Sequence, residues 1–548
     1  MRKFGRNNYW FYGLIILVGF LLYFKSLFFD FVYFDDNELI LSNLSYLSDP
    51  HNIWDAFNKD VFYTLHSVAA YYRPLLTVSF ITDVWLGGTG PFIFHLTNLI
   101  LHLIVTSLVF WLLQKLGVAK KIALFLTFLF LVHPVSTQAV SWIPGRNDPL
   151  LAIFTLASFI FFLNFVREKK AGSYLLSLIF FLLALFTKET VLVLPVICLL
   201  YLWQNKMMKQ NLLISLTVGW FLSLAIWWPM RHAALQNPLT ITFKEMIMAI
   251  FSNSPATIQM LGKVFFPFNL SVLPNILDTS FLWGILALII LAFLYFWRGE
   301  QEQGQVAYGQ EQGQVATCPY ATCPYHIDRT GDRSLMLLGI VWFLAFLLPS
   351  FIRPDSLIMA DFLEHRLYLS LIGFLIFLSQ SRLFMLSSRI GKKLFWLVGS
   401  GLIILFSFIT FYHQDNFADK FAFWQNAAVN SPHSPLAQKN LGAMYHLDKQ
   451  YQKAEEYYKK ASTLNDLEPM VHSNLGLIYA NRGDFVSAEQ EYLKEISFNP
   501  NYDDVHFNLG LLYYNTKKFD EAKQEWEKTL AINPEYPGAK EAIRAIPK

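Results

Sequence analysis

The sequence predicts an all-α protein in which a bundle of about eleven membrane-spanning helices precedes a C-terminal α-solenoid. The composition predicts the bundle: 54% of the 548 residues are hydrophobic, 17% are aromatic and only 15% are charged, values that soluble domains rarely reach. The apolar segments all lie before residue 413, and lysine and arginine accumulate in alternate connections between them. The solenoid is predicted by a 34-residue repeat in the remainder of the chain.

Eleven apolar segments are interpreted as spans. Several are shorter than the roughly 20 apolar residues that a full crossing needs, so they must borrow polar flanks or lie partly within the protein. The predicted spans are 9–29, 91–113, 122–132, 149–166, 174–186, 191–203, 212–230, 281–297, 335–351, 367–378 and 394–412.

Lysine and arginine orient the bundle, because cytoplasmic connections carry an excess of these residues. The basic connections assigned to the inside are 2–6, 115–121, 167–170, 206–209, 298–333 and 382–393. The connections assigned to the outside are 30–90, 133–148, 187–190, 231–280 and 352–366. Residues 243–267 are expected to form an amphipathic stretch on the outer surface, and eleven spans place the C-terminus outside.

The predicted domains are a membrane domain (1–412), a half-repeat connecting helix (413–434) and three repeats (435–548). Within the first, 299–334 contains two tandem duplications of polar, glycine-containing sequence, which predict a flexible loop. No small-residue cleavage site follows the first span, so we expect a retained signal anchor. A net charge of +3 without a basic run argues against a nucleic-acid partner, and three cysteines form no zinc pattern.

The repeat is marked by Asn-Leu-Gly at Asn440, Asn474 and Asn508. Small residues and aromatic residues follow in phase at Ala454/Ala488/Ala522 and Tyr458/Tyr492/Trp526. This pattern is typical of tetratricopeptide repeats, in which small residues let two antiparallel helices approach and aromatics fill the space beside them. We expect the concave face to carry the three asparagines for an extended peptide; that they only orient turns is the open alternative.

Asp35 and Asp36 are the first candidates for chemistry, since two adjacent carboxylates stand at the outer end of the first span. Repulsion and a low-dielectric boundary raise the pKa of one member toward the range of a general base. The alternative reading is that they are ordinary solvated loop charges. The other polar groups at outward helix ends favour the first reading; they are Arg73, His95, His133, Arg146, Asp148, Lys188, Glu189, Arg353, Glu364, His365 and Arg366.

Arginine on the outer side opposes the usual charge bias, so it must be neutralised or must recognise an anion. A carboxylate base beside such cations suits transfer from a phosphate-linked lipid. The acid would deprotonate an acceptor hydroxyl, and the cations would stabilise charge developing on the leaving phosphate.

In these motifs the chain resembles the multispanning, lipid-carrier-dependent glycosyltransferases with the GT-C fold. It is most similar to the transmembrane and tetratricopeptide-repeat O-mannosyltransferases and their bacterial relatives. The residues that carry the resemblance are Tyr33-Phe-Asp-Asp-Asn-Glu38, Tyr72-Arg-Pro-Leu75, Phe94-His-Leu-Thr-Asn98, His133-Pro-Val, Gly145-Arg-Asn-Asp148, Lys188-Glu189, Glu364-His-Arg-Leu-Tyr368 and the repeats.

The resemblance implies a polyprenyl- or dolichyl-phosphate sugar donor, with Asp35 or Asp36 as the base. It implies direct transfer of a mannose or a similar hexose with inversion, and neither a metal nor another cofactor. The repeats would present a protein or peptide acceptor, and the active site and repeats would both be extracytoplasmic.

Two other functions stay open at this point. An O-antigen-ligase-like or polymerase-type enzyme would use a diphosphate-linked oligosaccharide and also combines many spans with outer arginines. A non-enzymatic membrane scaffold would use the solenoid to recruit partners, and it predicts ionisable residues at mid-membrane depth rather than at the outer boundary.

Overall fold

The computed structural model describes residues 9–63, 71–235, 242–296, 333–352, 362–385 and 391–547. The predicted loop 299–334, except its last two residues, and the candidate Arg353 lie outside the described residues. The chain divides into two compact units. Of the described residues, the membrane unit contains those up to 270, those from 280 to 352 and those from 362 to 419, and the repeat unit contains 271–279 and 420–547.

The membrane unit consists of helices joined by short 3-10 segments. Its α-helices are α1 (Tyr9–Tyr23), α2 (Asp35–Leu39), α3 (Pro74–Gly87), α4 (Pro91–Lys115), α5 (Lys120–Leu131), α6 (Thr137–Ser141), α7 (Asn147–Glu168), α8 (Ala171–Leu185), α9 (Leu194–Gln204), α10 (Gln210–Ala234), α11 (Phe243–Asn253), α12 (Pro255–Phe265), α13 (Leu282–Phe296), α14 (Arg333–Leu347), α15 (Leu367–Ser379) and α16 (Lys392–His413), with single turns at Leu44–Leu47 and Asn52–Asp55. The 3-10 segments that matter for the site are Ile143–Arg146, Glu189–Val193 and Glu364–Arg366.

All eleven predicted apolar segments are helical over most of their length, and the predicted all-α class is confirmed. Among the described residues, six helical segments are long and apolar enough to cross a membrane, and α5 with the bent 134–141 segment makes a seventh. Four further apolar helical segments are shorter. One of these, α3, lies in a connection for which the sequence predicted no helix. The unit therefore has the helices of a multi-pass membrane protein.

Glycines allow two helix pairs to approach closely. A Cβ atom added at Gly339 of α14 would lie 2.5 Å from the Gly373 carbonyl oxygen of α15, and one at Gly373 would lie 2.6 Å from that of Gly339. The same holds for Gly262 of α12, whose Cβ would lie 2.7 Å from the Gly284 nitrogen of α13. Small residues are typical of tight helix contacts in membranes.

Residues 243–267 form two helices rather than one surface stretch. No residue of α11 is buried, so this half keeps the exposure expected of a surface segment. By contrast, α12 buries seven of its eleven residues, from Ala256 to Val264. It packs against α13 and is therefore buried within the protein; its predicted location at the outer surface of the membrane stays a prediction.

The repeat unit contains α17 (Lys420–Asn430), α18 (Pro435–Leu447), α19 (Tyr451–Leu464), α20 (Val471–Asn481), α21 (Phe485–Phe498), α22 (Asp503–Asn515), α23 (Phe519–Ile532) and α24 (Ala539–Arg544). Helices α18–α23 form three antiparallel pairs. A Cβ atom at Gly476 would lie 2.7 Å from the Tyr492 ring, and one at Gly510 would lie 2.5 Å from Trp526 Nε1. Small residues therefore face buried aromatics, as the tetratricopeptide pattern predicts.

Candidate active site

The acidic doublet stands at the start of α2, after a strained turn. Tyr33 has a φ of 56°, a left-handed conformation that is unfavourable for a side chain of this size. Such strain is held in place only by surrounding contacts, and it is often found at functional sites. The turn directs the chain back toward the bundle so that Asp35 and Asp36 begin the short helix.

Asp36 is the buried member of the doublet, with 1% of its surface exposed. Its Oδ2 accepts a hydrogen bond from the Val32 nitrogen at 3.0 Å, and the Trp142 indole lies beside it. Phe34 stacks on Trp142 with the ring centres 5.6 Å apart. Burial raises the pKa of Asp36 to about 7, and the neighbouring Asp35 contributes to the rise. These contacts make Asp36 a residue that holds the loop.

Asp35 is only partly buried and lies among cations. Burial raises the pKa of Asp35 to about 6, while Arg73 and Arg366 oppose the rise and Glu38 adds to it. The residue is therefore partly accessible from outside the protein, and the pKa of its carboxyl lies close to neutral pH. Both properties are required of a general base.

A second carboxylate organises the opposite side of this site. Asp148, in the first turn of α7, lies 2.7 Å through its Oδ1 from Lys188 Nζ and 3.6 Å through its Oδ2 from His365 Nε2. Arg366 is close enough to both Asp148 and Asp35 for the charges to interact. His365 is fixed in turn by its backbone nitrogen, which donates to Gln138 Oε1 at 3.1 Å.

Arg73 lies beside the same group of side chains. Its guanidinium lies 4.4 Å from the centre of the Tyr71 ring, and Nη1 donates to the Asn147 amide oxygen at 3.0 Å. Asn147 donates in the other direction to the Thr187 carbonyl at 3.1 Å. Lys188 lies close enough to Arg73 and Arg366 for their charges to interact. Side chains far apart in sequence therefore converge at one end of the bundle.

We call this set the acid–cation cluster; its members are Asp35, Arg73, Asp148, Lys188, His365 and Arg366. Three basic side chains, Arg73, Lys188 and Arg366, face the two carboxylates Asp35 and Asp148. The balance is positive, as recognition of a phosphate requires. In the part of the chain that the structure describes, no group of three or more His, Cys, Asp or Glu side chains is arranged to hold a metal ion.

Two predicted site residues are committed to other partners. Arg146 is completely buried, and Nη1 lies 2.5 Å from Asp83 Oδ2. His133 is 1% exposed; its Nε2 contacts the Val264 carbonyl at 3.0 Å and its Nδ1 accepts from the Val135 nitrogen at 3.3 Å. Both residues therefore serve as internal connections, and neither is available to a substrate in this geometry.

His95, Glu189 and Glu364 also lie apart from the cluster. His95 is 1% exposed and packs edge-on against Phe29. Glu189 pairs loosely with Arg231, at 3.9 Å.

Glu364 is 1% exposed and lies 2.8 Å from Lys263 Nζ and 3.6 Å from His413 Nε2. Burial alone would raise the pKa of Glu364, but Lys263 and His413 lower it below its ordinary value. Glu364 therefore anchors the turn that carries His365 and Arg366.

Sequence reasoning did not single out Asp83, Asn147 or Lys263 as functional. Asp83 and Lys263 are isolated charges within otherwise apolar helices, and that isolation is the one signal the sequence offered. Asn147 follows Arg146 directly and gives no separate signal.

In the repeat unit, Asn440, Asn474 and Asn508 occupy the same position in the first helix of each repeat. All three are half-buried, and their side chains form no hydrogen bond with any residue of the described ranges. This argues against the alternative in which the amides only orient turns.

Comparison with known proteins supports both units. Family models described as tetratricopeptide repeat match residues 440–466 and 503–536. Protein O-mannosyl-transferase TMTC3 of Homo sapiens is 25% identical over 485 residues, which are 82% of this chain and 51% of that protein.

Shorter matches carry higher identity. TMTC1 of Mus musculus is 36% identical over 24% of this chain and 15% of its own length, and tmtc2 of Xenopus laevis is 38% identical over 27% and 18%. The chain is similar to proteins named protein O-mannosyl-transferases. The resemblance predicted from the sequence is thus confirmed. The chain spans at most about half the length of these relatives.

Among solved structures, the first tetratricopeptide domain of Spaghetti (RPAP3) is 24% identical and covers 20% of this chain and 89% of that one. Its TM-score of 0.20 carries no structural argument.

Proposed function

We propose that the protein is an integral-membrane glycosyltransferase that moves a hexose, mannose or a similar sugar, from a polyprenyl-phosphate donor to a hydroxyl group of a protein acceptor. The observation that carries the proposal is the acid–cation cluster, in which the carboxylate of Asp35, a partly exposed residue, lies beside Arg73 and Arg366. The relatives named protein O-mannosyl-transferases support the same reaction class.

The reaction requires one bond to form and one to break at the anomeric carbon. The oxygen of the acceptor hydroxyl attacks that carbon from the face opposite the phosphate, and Asp35 takes the proton of this hydroxyl. The bond between the anomeric carbon and the phosphate oxygen breaks, and the configuration inverts. The carrier phosphate leaves with the bonding electron pair.

The cations act on the leaving group. Negative charge grows on the phosphate as the bond breaks, and Arg73, Lys188 and Arg366 are held in place to stabilise it. Asp148 fixes Lys188 at 2.7 Å, so the ammonium group needs little rearrangement during the reaction. Preorganised charge of this kind often supplies the largest catalytic contribution.

The ends of the helices support an extracytoplasmic location of the site. Asp35 follows the first span, Asp148 begins α7, Lys188 follows α8 and Arg366 precedes α15. The opposite ends of these helices carry the basic connections that the positive-inside rule assigns to the cytoplasm. We therefore assign the active site to the extracytoplasmic face, and we assign the repeats to the same side with the acceptor bound along their asparagines.

The experiment is transfer by the purified chain in lipid nanodiscs, with a panel of polyprenyl-phosphate hexoses and hydroxyl-bearing peptides. We expect the peptide mass to increase by one hexose residue. Addition of a whole oligosaccharide from a diphosphate carrier would favour the ligase-like alternative, and no transfer from any donor would favour the scaffold. Asp35→Asn should abolish the product, whereas Asp49→Asn, an exposed acid in the same connection, should retain it.

A further inference from the structure

A buried ion pair lies behind the acid–cation cluster and outside the proposed chemistry. Asp83 is the one charged residue of the apolar helix α3, and its Oδ2 lies 2.5 Å from Arg146 Nη1. The two side chains are 2% and 0% exposed. Asp83 Oδ1 also accepts from the Thr97 hydroxyl of α4 at 2.6 Å. The pair therefore connects α3, α4 and the 3-10 turn Ile143–Arg146.

Contacts within the protein engage every nitrogen of the Arg146 guanidinium. Besides Asp83, Nη1 donates to Ser79 Oγ at 3.2 Å, Nη2 to the Phe94 carbonyl at 2.7 Å and Nε to Asn98 Oδ1 at 2.8 Å. Arg146 therefore connects Asn98 of α4 to the segment that contains Arg146.

Asn98 also contacts residues that precede Arg146 in the same segment. Its Nδ2 lies within hydrogen-bond distance of the carbonyls of Val140, Trp142 and Ile143, at 3.2, 3.0 and 3.2 Å. Segment 140–146 is thus held at its start by Asn98 and at its end by Arg146. In this arrangement Asp83 balances the positive charge of Arg146.

The segment held in this way carries contacts of the site itself. Trp142 lies beside the Asp36 carboxyl and stacks on Phe34. The two residues that follow Arg146 are Asn147, which accepts from Arg73, and Asp148, which pairs with Lys188. Displacement of the segment would therefore move partners of both carboxylates and of two cations.

We propose that Asp83 is a positioning residue for the transfer reaction: through Arg146 and Asn98 it fixes the segment that presents Trp142, Asn147 and Asp148 to the acid–cation cluster. This inference rests on the proposed function. A buried ion pair can usually be replaced by apolar residues without loss of stability. Its value here is the geometry that it imposes on the segment.

The first test is hydrogen–deuterium exchange of the full chain in nanodiscs, which measures local opening without requiring activity. In Asp83→Asn we expect exchange of the amides of residues 140–148 to rise on the order of tenfold. In Asp83→Leu/Arg146→Met, which removes both charges together with the hydrogen bonds of Arg146, we expect the same rise. The matched control is Ser158→Ala/Ser177→Ala, which removes two buried interhelical hydrogen bonds of α7 and α8 away from the site; it should leave 140–148 protected.

The second test is kinetic. Both Asp83 variants should lower kcat by about 10- to 100-fold while the donor KM changes by less than about threefold. The Ser158→Ala/Ser177→Ala control should change neither kcat nor the donor KM. If Asp83→Asn does not fold, the double variant decides.

Wild-type exchange in 140–148, wild-type kcat in the double variant, or equal effects in the control would each overturn the positioning role. Absence of transfer activity in the wild-type protein would instead contradict the proposed function. The exchange result would still decide whether Asp83 holds the segment.

Discussion

Lys188 Nζ lies 2.7 Å from Asp148 Oδ1, and this contact joins the residue that follows α8 to the first turn of α7. Their side chains are 14% and 6% exposed, so solvent screens the pair only weakly. Asp148 also faces His365 and Arg366. Removal of Lys188 therefore takes the nearest cation away from a buried carboxylate next to the proposed reaction centre.

Lys188→Met is expected to reduce transfer by more than about 100-fold and to destabilise the protein by about 1.5–3 kcal/mol, because the buried Asp148 loses its shortest charged hydrogen bond. The measurements are transfer kinetics and the melting temperature in detergent. Lys170→Met is the matched control, since Lys170 and Glu168 form an exposed pair in which 60% and 46% of the side chains are accessible. Equal behaviour of the two variants would contradict a specific role for Lys188.

The two aspartates of the doublet are expected to behave differently. Asp35→Asn should lower kcat by about 1,000-fold or more, because the amide cannot accept the proton of the acceptor. Asp36→Asn should cost only about tenfold, since its amide oxygen can still accept the bond from the Val32 nitrogen. Neither change should lower the melting temperature: burial raises both pKa values, so the folded state disfavours the charged carboxyls at neutral pH. A large loss of stability would show that the doublet is structural.

The pH dependence of transfer tests the same assignment. A general base acts only when deprotonated, so kcat/KM should rise with pH and level off above about 6, the pKa to which burial raises Asp35. Arg73 and Arg366 lower this pKa, and Arg366→Gln should therefore shift the acid limb to higher pH. Asp49→Asn should leave the profile unchanged. A profile in Arg366→Gln that moves to lower pH would refute the arrangement.

Much of the site was predictable because charge is scarce in an apolar bundle. Asp35, Arg73, Asp148, Lys188 and Arg366 all stand at helix ends that the sequence predicts to face outward, where a polar residue is conspicuous. The span pattern and the positive-inside rule predict that they share one face. Their convergence in the structure follows from the antiparallel course of the helices.

The remaining details depended on side-chain pairing that no sequence period encodes. Arg146 and His133 were expected at the substrate, but their partners Asp83 and Val264 come from distant segments. Helix α3 was not predicted because the whole connection 30–90 was interpreted as one outer loop, and Asp83 interrupts the apolar run. The role of Glu364 likewise depends on Lys263, a residue about 100 positions earlier in the chain.

The asparagines of the repeats should govern use of the acceptor. Asn440→Ala/Asn474→Ala/Asn508→Ala is expected to raise the acceptor KM by about tenfold or more, because the three amides have no partner among the described residues and are available to a peptide backbone. Hydrolysis or binding of the donor lipid should not change. Gln490→Ala/Gln524→Ala is the control, since these exposed amides recur on the second helices at the same spacing. Equal loss of donor and acceptor use would indicate a structural role.

Two histidines of the repeat unit make its stability depend on pH. His472 Nδ1 lies 2.5 Å from Glu491 Oε2 and its Nε2 lies 2.9 Å from the Asp466 carbonyl; His506 repeats this arrangement with Glu525 at 2.6 Å and the Pro500 carbonyl at 3.0 Å. Each ring therefore has an acceptor at both nitrogens, as an imidazolium requires.

The same position in the first repeat is Gln438, whose Nε2 donates to the Pro432 carbonyl at 3.3 Å without an ionic partner. Other charges face the histidines as well: the Asp466 carboxylate and Lys494 lie near His472, and Lys528 lies near His506.

Burial opposes protonation of His472, but Glu491 and the Asp466 carbonyl raise its pKa above the ordinary value; at His506 the bond to Glu525 is the main cause of the rise. A histidine with a raised pKa stabilises the fold below its unfolded pKa, and that contribution is lost as pH rises through the folded pKa. Amide exchange in 471–532, corrected for the intrinsic effect of pH on the exchange rate, gives the free energy of local opening. We expect this free energy to fall between pH 6 and pH 8 by on the order of 1 kcal/mol per His–Glu pair.

His472→Gln/His506→Gln copies the first repeat and should remove this pH dependence while retaining the bonds to the carbonyls. An unchanged pH dependence in that variant would show that other groups control the stability of the solenoid.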